Sequence, residues 1–546
     1  MKIKLITIAI LSALIFSGCD KNLDVLPTDN ISSENLYLSE AGIEAGLAGI
    51  YSRILFAYRG ADFAFSYPSS FTDEAHYCRK GLTSFIKNNF TPSTPQLAEP
   101  WTELYSGINA ANIYLEKVAA AGFLSEEDRL EYLADGYFIR AYMYLDLERA
   151  FGGIEGIPMP LVENRGELLP RTPGIDVYKQ IIKDFEFAAE NLPDDADAVK
   201  GRPGKNAAKG LIARAYMYLA GEPFNEPGAY EKMRDWSKAV IDDGYNELNP
   251  SYKDIFIRLA QEEFERKEVL FQFAFSYENQ NNQRASKLGS AMGYLCEDEA
   301  CYKSYESHYA TVSLVLQYRS DPDDERGLWN TDPTYIRRTY NCRPIGKVSQ
   351  FRYCPSKYRR QYEEDPSNTS WGAHHWPILR YSDILLMYAE AENQLNPGST
   401  IALDAVNQVR NRAKATPLAG PITEDLIQEE RRLELCFEGL RKYDLVRWGN
   451  LEEKVNETKA LMEELVADPN FYNDDWLIYG EPNMGPDGLP QTGDEPAVLE
   501  TRRNVLHTSF EHFEGYNDFD ITKHYILPIP EQEVGVNPYL RQTQGW

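Results

Sequence analysis

The sequence predicts an all-α protein: tetratricopeptide-like helical hairpins forming a solenoid-like scaffold, with long loop-rich insertions and short β-hairpins. Three observations lead there. The hexapeptide Arg140-Ala141-Tyr142-Met143-Tyr144-Leu145 recurs as Arg214-Ala215-Tyr216-Met217-Tyr218-Leu219, with a looser echo at Leu386-Met387-Tyr388-Ala389-Glu390-Ala391. The offset between the first two copies approaches two tetratricopeptide periods. Each copy is followed by a Gly- or Pro-containing break and then a second amphipathic segment. Such hairpins cannot bury their faces alone and must stack on one another.

Taken in order, an early helical pair is expected at Glu40–Phe56 and Trp101–Ala121. The Arg140 copy leads through Gly152-Gly153 to Val177–Leu192, where Ile181, Ile182, Phe185 and Ala189 keep helical spacing. The Arg214 copy leads through Gly221-Glu222-Pro223 to Tyr230–Ile241, and the echo leads through Asn396-Pro397-Gly398 to Ile401–Ala413. Small Ala beside large Tyr lets helices approach closely, so Tyr142 and Tyr216 are expected at equivalent buried positions. A further helix, Ile427–Glu438, places Leu433, Cys436, Phe437 and Leu440 on one face, with Cys436 a buried thiol. Its run Glu429-Glu430-Arg431-Arg432-Leu433-Glu434 reads as a solvated or salt-bridged face. Insertions at 57–100, 275–376 and 466–522 interrupt the helices. The second is too long to be structureless, so short strands and turns are expected there.

Composition narrows function. The 546-residue chain is globular in composition, with 43% hydrophobic residues and a net charge of −28 at pH 7. That charge argues against nucleic acid and against electrostatic binding to anionic lipid. The start of the chain directs export. Lys2 and Lys4 precede an apolar run from Leu5 to Phe16, too short to span a bilayer, and then Ser17-Gly18-Cys19. Residues 1–18 read as a lipoprotein signal peptide and Cys19 as the lipid anchor. No other stretch is apolar and long enough to cross a membrane. The other six cysteines are candidates for oxidation, the closest pairs being Cys296 with Cys301 and Cys342 with Cys354. The second pair flanks a turn at 343–347 and suggests a cross-linked hairpin.

Catalytic signatures are missing from the sequence: there is no P-loop, GxGxxG, HExxH, GxSxG or EF-hand spacing. Asp321-Pro322-Asp323-Asp324-Glu325 reads as an acidic turn, His374-His375 as a loop or packing pair, and no cofactor or metal is expected.

Several segments together resemble the SusD/RagB family of outer-membrane nutrient-binding lipoproteins of Bacteroidetes. They are Cys19–Asp24 with Pro27, Thr72-Asp73-Glu74, Trp101–Tyr105, Ile108–Asn112, Arg140–Leu147 with Phe151-Gly152-Gly153, Arg380–Ala391, Val406–Ala413, Glu430–Gly439, Tyr443–Gly449, and the ending from Leu527-Pro528-Ile529-Pro530 to Gly545-Trp546. The resemblance implies a signal at 1–18, an N-terminal SusD-like region with tetratricopeptide-like helices at 19–260, and a C-terminal SusD/RagB region with ligand-face insertions at 261–546. It implies no enzyme activity, a place on the cell surface, and a SusC-like TonB-dependent transporter as partner, to which an oligosaccharide is delivered. A peptide-binding lid on the same scaffold is the alternative, and a surface glycosidase a further one. The resemblance also places ligand on 57–100 and 275–340, where aromatics fall outside any helical period. Tyr67, Phe71, Tyr77, Tyr294, Tyr302, Tyr305 and Trp329 are the candidate stacking platforms, with Arg79 and Asn281 as polar partners.

Overall fold

In the computed structural model the described residues are 36–77, 85–277, 284–293, 304, 307–332, 334–337, 341–344, 353–364, 370–467, 475–479, 498–503 and 514–546. The expected helices form. They are α1 (Glu40–Arg59), α2 (Ala98–Ala119), α3 (Glu126–Leu147), α4 (Gly174–Asn191), α5 (Lys205–Ala220), α6 (Ala229–Asp243), α7 (Tyr381–Leu395), α8 (Thr400–Arg412) and α9 (Glu424–Leu435). Side-chain oxygens cap several starts: Ser39 accepts from the Gly42 amide at 3.2 Å, Ser125 from Asp128 at 3.1 Å, and Thr423 from Leu426 at 3.3 Å. Three acids in the first turn of α3 add favourable charge against its N-terminus. Each helix from α1 to α8 packs on the next, and α9 returns onto α7. The result is the stacked array that the repeat predicts.

The hexapeptide repeat does two jobs. Met143, Met217 and the corresponding Met387 are all buried. Its arginines act as buried bolts between helices. Arg140 grips Asp184 of α4 at 2.8 and 2.9 Å and Asn112 of α2 at 2.7 Å. Arg214 reaches the Ile378 carbonyl at 2.7 Å and Asp383 of α7 at 2.6 Å. The tyrosines are not equivalent as expected. Tyr142 is 2% exposed and shares a 2.7 Å hydrogen bond with Tyr58. Tyr216 is only half-buried, packed against the core rather than inside it.

One short ladder fuses the two halves. Strand β2 (Val269–Phe273) pairs antiparallel with β8 (Trp376–Arg380), with Phe273 opposite Trp376. Phe271 sits 4.8 Å from Phe138, and Phe273 sits 5.4 Å from Tyr142 and 4.9 Å from Tyr58. Aromatic edges thus pin the ladder onto α1 and α3.

Helix α9 departs from its reading. It stops at Leu435, since Cys436 leaves helical backbone geometry and Phe437 takes a positive φ of 65°. The charged run is not solvated: Glu430, Arg431, Arg432 and Glu434 are all buried. It is salt-bridged throughout. Glu434 accepts from Arg326 at 3.0 Å, Arg380 at 2.8 Å and Arg412 at 2.5 Å, while Arg431 donates to Asp383 at 2.7 Å. Arg380 also holds Glu268 and Glu438 at 2.7 Å each. Charges this deep persist only when paired. Cys436 is the expected buried thiol, its pKa pushed up to about 12 by burial.

The mid-chain insertion contains the short strands foreseen, in a different pairing. Strand β5 (Thr334–Arg337) pairs with β6 (Asn341–Pro344), placing Cys342 opposite Ile336. Strand β7 (Cys354–Pro355) pairs instead with β4 (Thr331–Asp332). Cys342 and Cys354 therefore lie on separate ladders, and Arg343 and Pro344, expected in a turn, lie in β6. The side chain of Cys342 lies outside the described residues.

Candidate functional site

The two insertions expected to carry ligand are joined directly. Strand β1 (Ala75–Tyr77) pairs antiparallel with β3 (His308–Ala310), in the register Ala75–Ala310, His76–Tyr309 and Tyr77–His308. Below the ladder, Thr311 starts the helix Val312–Arg319 and hydrogen-bonds the Asp73 carbonyl at 2.5 Å. The Asp73 carboxylate is clamped by Arg441 at 2.8 and 2.6 Å. Burial works against its charge, but Arg441 and Arg432 outweigh it and bring the pKa down to about 2. Gly439 lets this layer close: its φ is +74°, and a Cβ there would run into the Ala64 carbonyl oxygen.

The candidate platforms separate by burial. Tyr67 and Phe71 are each 2% exposed. Tyr67 packs edge-on to Phe85 and Tyr443, with the Lys442 ammonium 4.1 Å from its ring. Phe71 meets Tyr516 at 5.0 Å. Both support the face from beneath, a correction to their reading as platforms; loop composition alone does not distinguish the two roles. Trp329 is mostly buried, with Arg359 4.2 Å from its ring and Tyr362 at 5.9 Å. Tyr77 is half-buried against His308 at 5.1 Å. Arg79, Asn281, Tyr294, Tyr302 and Tyr305 lie outside the described residues, as do Cys19, Cys296 and Cys301.

The structure adds residues that the sequence reading passed over. Trp371 is half-buried beside Arg59 and Lys287, whose charged groups stand 5.3 and 4.8 Å from its ring. Segment 359–363 connects this spot to Trp329: Arg360 donates to the Trp371 carbonyl at 3.1 Å and pairs with Glu363 at 2.9 Å. The available signal was a tryptophan next to Gly372, outside any helical period. His374 forms a 2.8 Å pair with Glu363, and His375 lies 2.6 Å from Gln272. Burial takes the His375 pKa down to about 4. Both are packing groups. In the acidic turn, Asp321 takes Arg410 at 3.1 Å and the Thr416 amide at 2.7 Å, while Asp324 takes Arg326 at 2.8 Å. Among the described residues, no three His, Cys, Asp or Glu side chains gather as a metal site.

The described part of these insertions thus groups Tyr77, Trp329 and Trp371 with Arg59, Lys287 and Arg359 against the helical array. A separate small opening lies elsewhere, between the 195–204 loop and β2, lined by Asp195, Arg202, Phe264 and Gln272 among others.

Comparison with known proteins agrees. Residues 258–546 match the SusD family model, and residues 21–217 match a model described as "Starch-binding associating with outer membrane". The chain belongs to the SusD/RagB family. It is 24% identical to a SusD-like protein of Bacteroides ovatus across 99% of this chain and 98% of that one. Its fold matches a SusD homolog from Bacteroides thetaiotaomicron with a TM-score of 0.78 at 21% identity, covering 94% of this chain and 98% of the other. A laminarin-binding SusD-like protein superposes with a TM-score of 0.67 at 19% identity, over 93% of this chain and 100% of the other. Among the described residues no helix is long and apolar enough to cross a membrane.

Proposed function

We propose that this chain is a cell-surface glycan-binding lipoprotein that captures an oligosaccharide and delivers it to a SusC-like TonB-dependent transporter in the outer membrane. It would be tethered through lipid on Cys19 after removal of residues 1–18. The observation that most supports this reading is the β1–β3 ladder, which brings segment 57–100 and the mid-chain insertion into one aromatic face. Family membership and the outer-membrane description of the matching model support it further. Tyr77, with Arg79, Asn281, Tyr294, Tyr302 and Tyr305, would contact sugar rings, with Trp329 at the margin. Axial C–H groups would meet the ring faces while polar side chains fix hydroxyl orientation. Nothing in this role requires bond cleavage.

The test is a binding screen of the full chain, in detergent, against glycan and peptide panels, with ligand recovered and analysed for cleavage. Retention of intact glycans supports the proposal. Retention of peptides alone, or recovery of shortened glycans, refutes it. Alanine at a true stacking residue should weaken binding by about 1–3 kcal/mol, by analogy with stacking on nucleic-acid bases, and leave thermal stability nearly unchanged.

A further inference from the structure

The inference rests on the saccharide-binding reading and deepens it by giving the ligand a charge. The whole chain carries −28, so holding an anion needs a local positive site. Most buried arginines are already committed to carboxylates, as Arg326, Arg380 and Arg431 are.

The corner around Trp371 differs. Arg59 ends α1 with its guanidinium carbon 4.5 Å from the Phe56 ring centroid and 5.3 Å from that of Trp371. The Lys287 ammonium stands 4.8 Å from the same indole. Backbone bonds fix the corner: the Lys287 amide donates to the Arg59 carbonyl at 2.7 Å, and Ser286 pairs with Gly372 through two 2.9 Å bonds. Among the described residues, neither head group has a carboxylate within ion-pair distance. The electrostatic partner is Asp62, whose charge Lys287 favours without forming an ion pair. Aromatic faces hold cations in place without neutralising them. Among the described residues no side chain or carbonyl accepts from either head group, and both stand beside an indole with exposed surface.

We propose that Arg59, Lys287 and Trp371 form a subsite for an anionic substituent of the saccharide, a carboxylate or a sulfate ester, and that the ligand is an acidic oligosaccharide. Planar guanidinium donors match the paired oxygens of either group, the ammonium adds a point charge, and the indole covers the adjoining ring carbons.

The test uses the full chain in detergent on an array of neutral, uronic-acid-bearing and sulfated glycans. Acidic glycans should be retained in preference to neutral ones, the two acidic arms showing which substituent is read. For the best acidic glycan, the double variant R59A/K287A should raise Kd at least about tenfold, and added salt should weaken wild-type binding. The charge-keeping R59K/K287R should lose less affinity than R59A/K287A and keep the salt dependence, with melting temperatures confirming that all variants fold. Equal retention of neutral glycans, or an unchanged Kd in R59A/K287A, overturns the inference while leaving saccharide binding intact. No retention of any glycan defeats both.

Discussion

Replacing Glu434 with Gln removes one charge from the middle of the protein. The wild-type carboxylate sits at 0% exposure and accepts from three guanidinium groups, those of Arg326, Arg380 and Arg412. Burial alone would raise its pKa, but the cations around it, Arg412 foremost, hold it well below the usual carboxylate range. After substitution Arg326 keeps Asp324 and Glu430, and Arg380 keeps Glu268 and Glu438. Arg412 keeps only Glu268. Arg412 then shares its remaining carboxylate with Arg380, and the new amide NH₂ points at donors instead of accepting from them. Breaking a buried pair of this kind costs about 3–5 kcal/mol. Urea unfolding monitored by tryptophan fluorescence reads the loss as a lower midpoint at unchanged slope. A solvated surface charge would cost within about 0.5 kcal/mol. A measured loss below about 1 kcal/mol would refute the argument that this run is a structural keystone.

Other expectations are smaller in scope. Tyr142→Ala should cost about 3–5 kcal/mol of stability, and Tyr216→Ala distinctly less, since only Tyr142 is fully buried; equal losses on thermal unfolding would contradict that difference in burial. Lys442 is buried against Tyr67, and burial takes its pKa down to about 7. A lysine with a depressed folded pKa loses stability as pH falls from its unfolded value towards the folded one. Lys442→Met should therefore stabilise the protein, with a gain that grows from pH 10 to pH 7 and levels off below; a pH-independent effect argues against a desolvated amine. Asp73 and Asp383, both brought down to about 2 by arginines that overcome burial, contribute stability above pH 4 that disappears between about pH 4 and 2. Acid titration followed by circular dichroism checks this, and in Asp383→Asn that part of the acid dependence should shrink. Gly439→Ala should cost at least about 1–3 kcal/mol from its left-handed φ and loosen the layer under the β1–β3 ladder; a neutral melting temperature would show that the Ala64 approach is not required.

How much of this was legible in the sequence depends on period. Helical arrays announce themselves through i, i+3 and i+4 spacing, so α1, α2, α4, α6 and α8 appear close to their expected bounds, while α9 begins and ends three residues earlier than expected. The Met of the repeated hexapeptide falls in the core as it should. Arg140 and Arg214 were visible as repeated residues, but their acids, Asp184 and Asp383, lie far off in sequence, and nothing local predicts such pairing. The same reason hid the burial of Glu430 to Glu434: a charged run looks solvated until its distant partners are in place. At the candidate ligand face the insertions stand out by length and aromatic content, and β1–β3 brings them together. Composition did not separate Tyr67 and Phe71, which hold the face up, from Tyr77, which reaches its edge. Trp371 gives no local signal, because the cations beside its ring, Arg59 and Lys287, lie far off in sequence.

The central claim is that the face built around the β1–β3 ladder is where a glycan binds. Hydrogen–deuterium exchange of the full chain, with and without a retained oligosaccharide, tests it directly. The account predicts slower exchange at 75–77, 308–310 and 359–372 and no change along α4 to α6. Protection confined to the opening lined by Asp195, Arg202 and Phe264, with the ladder unaffected, would contradict it.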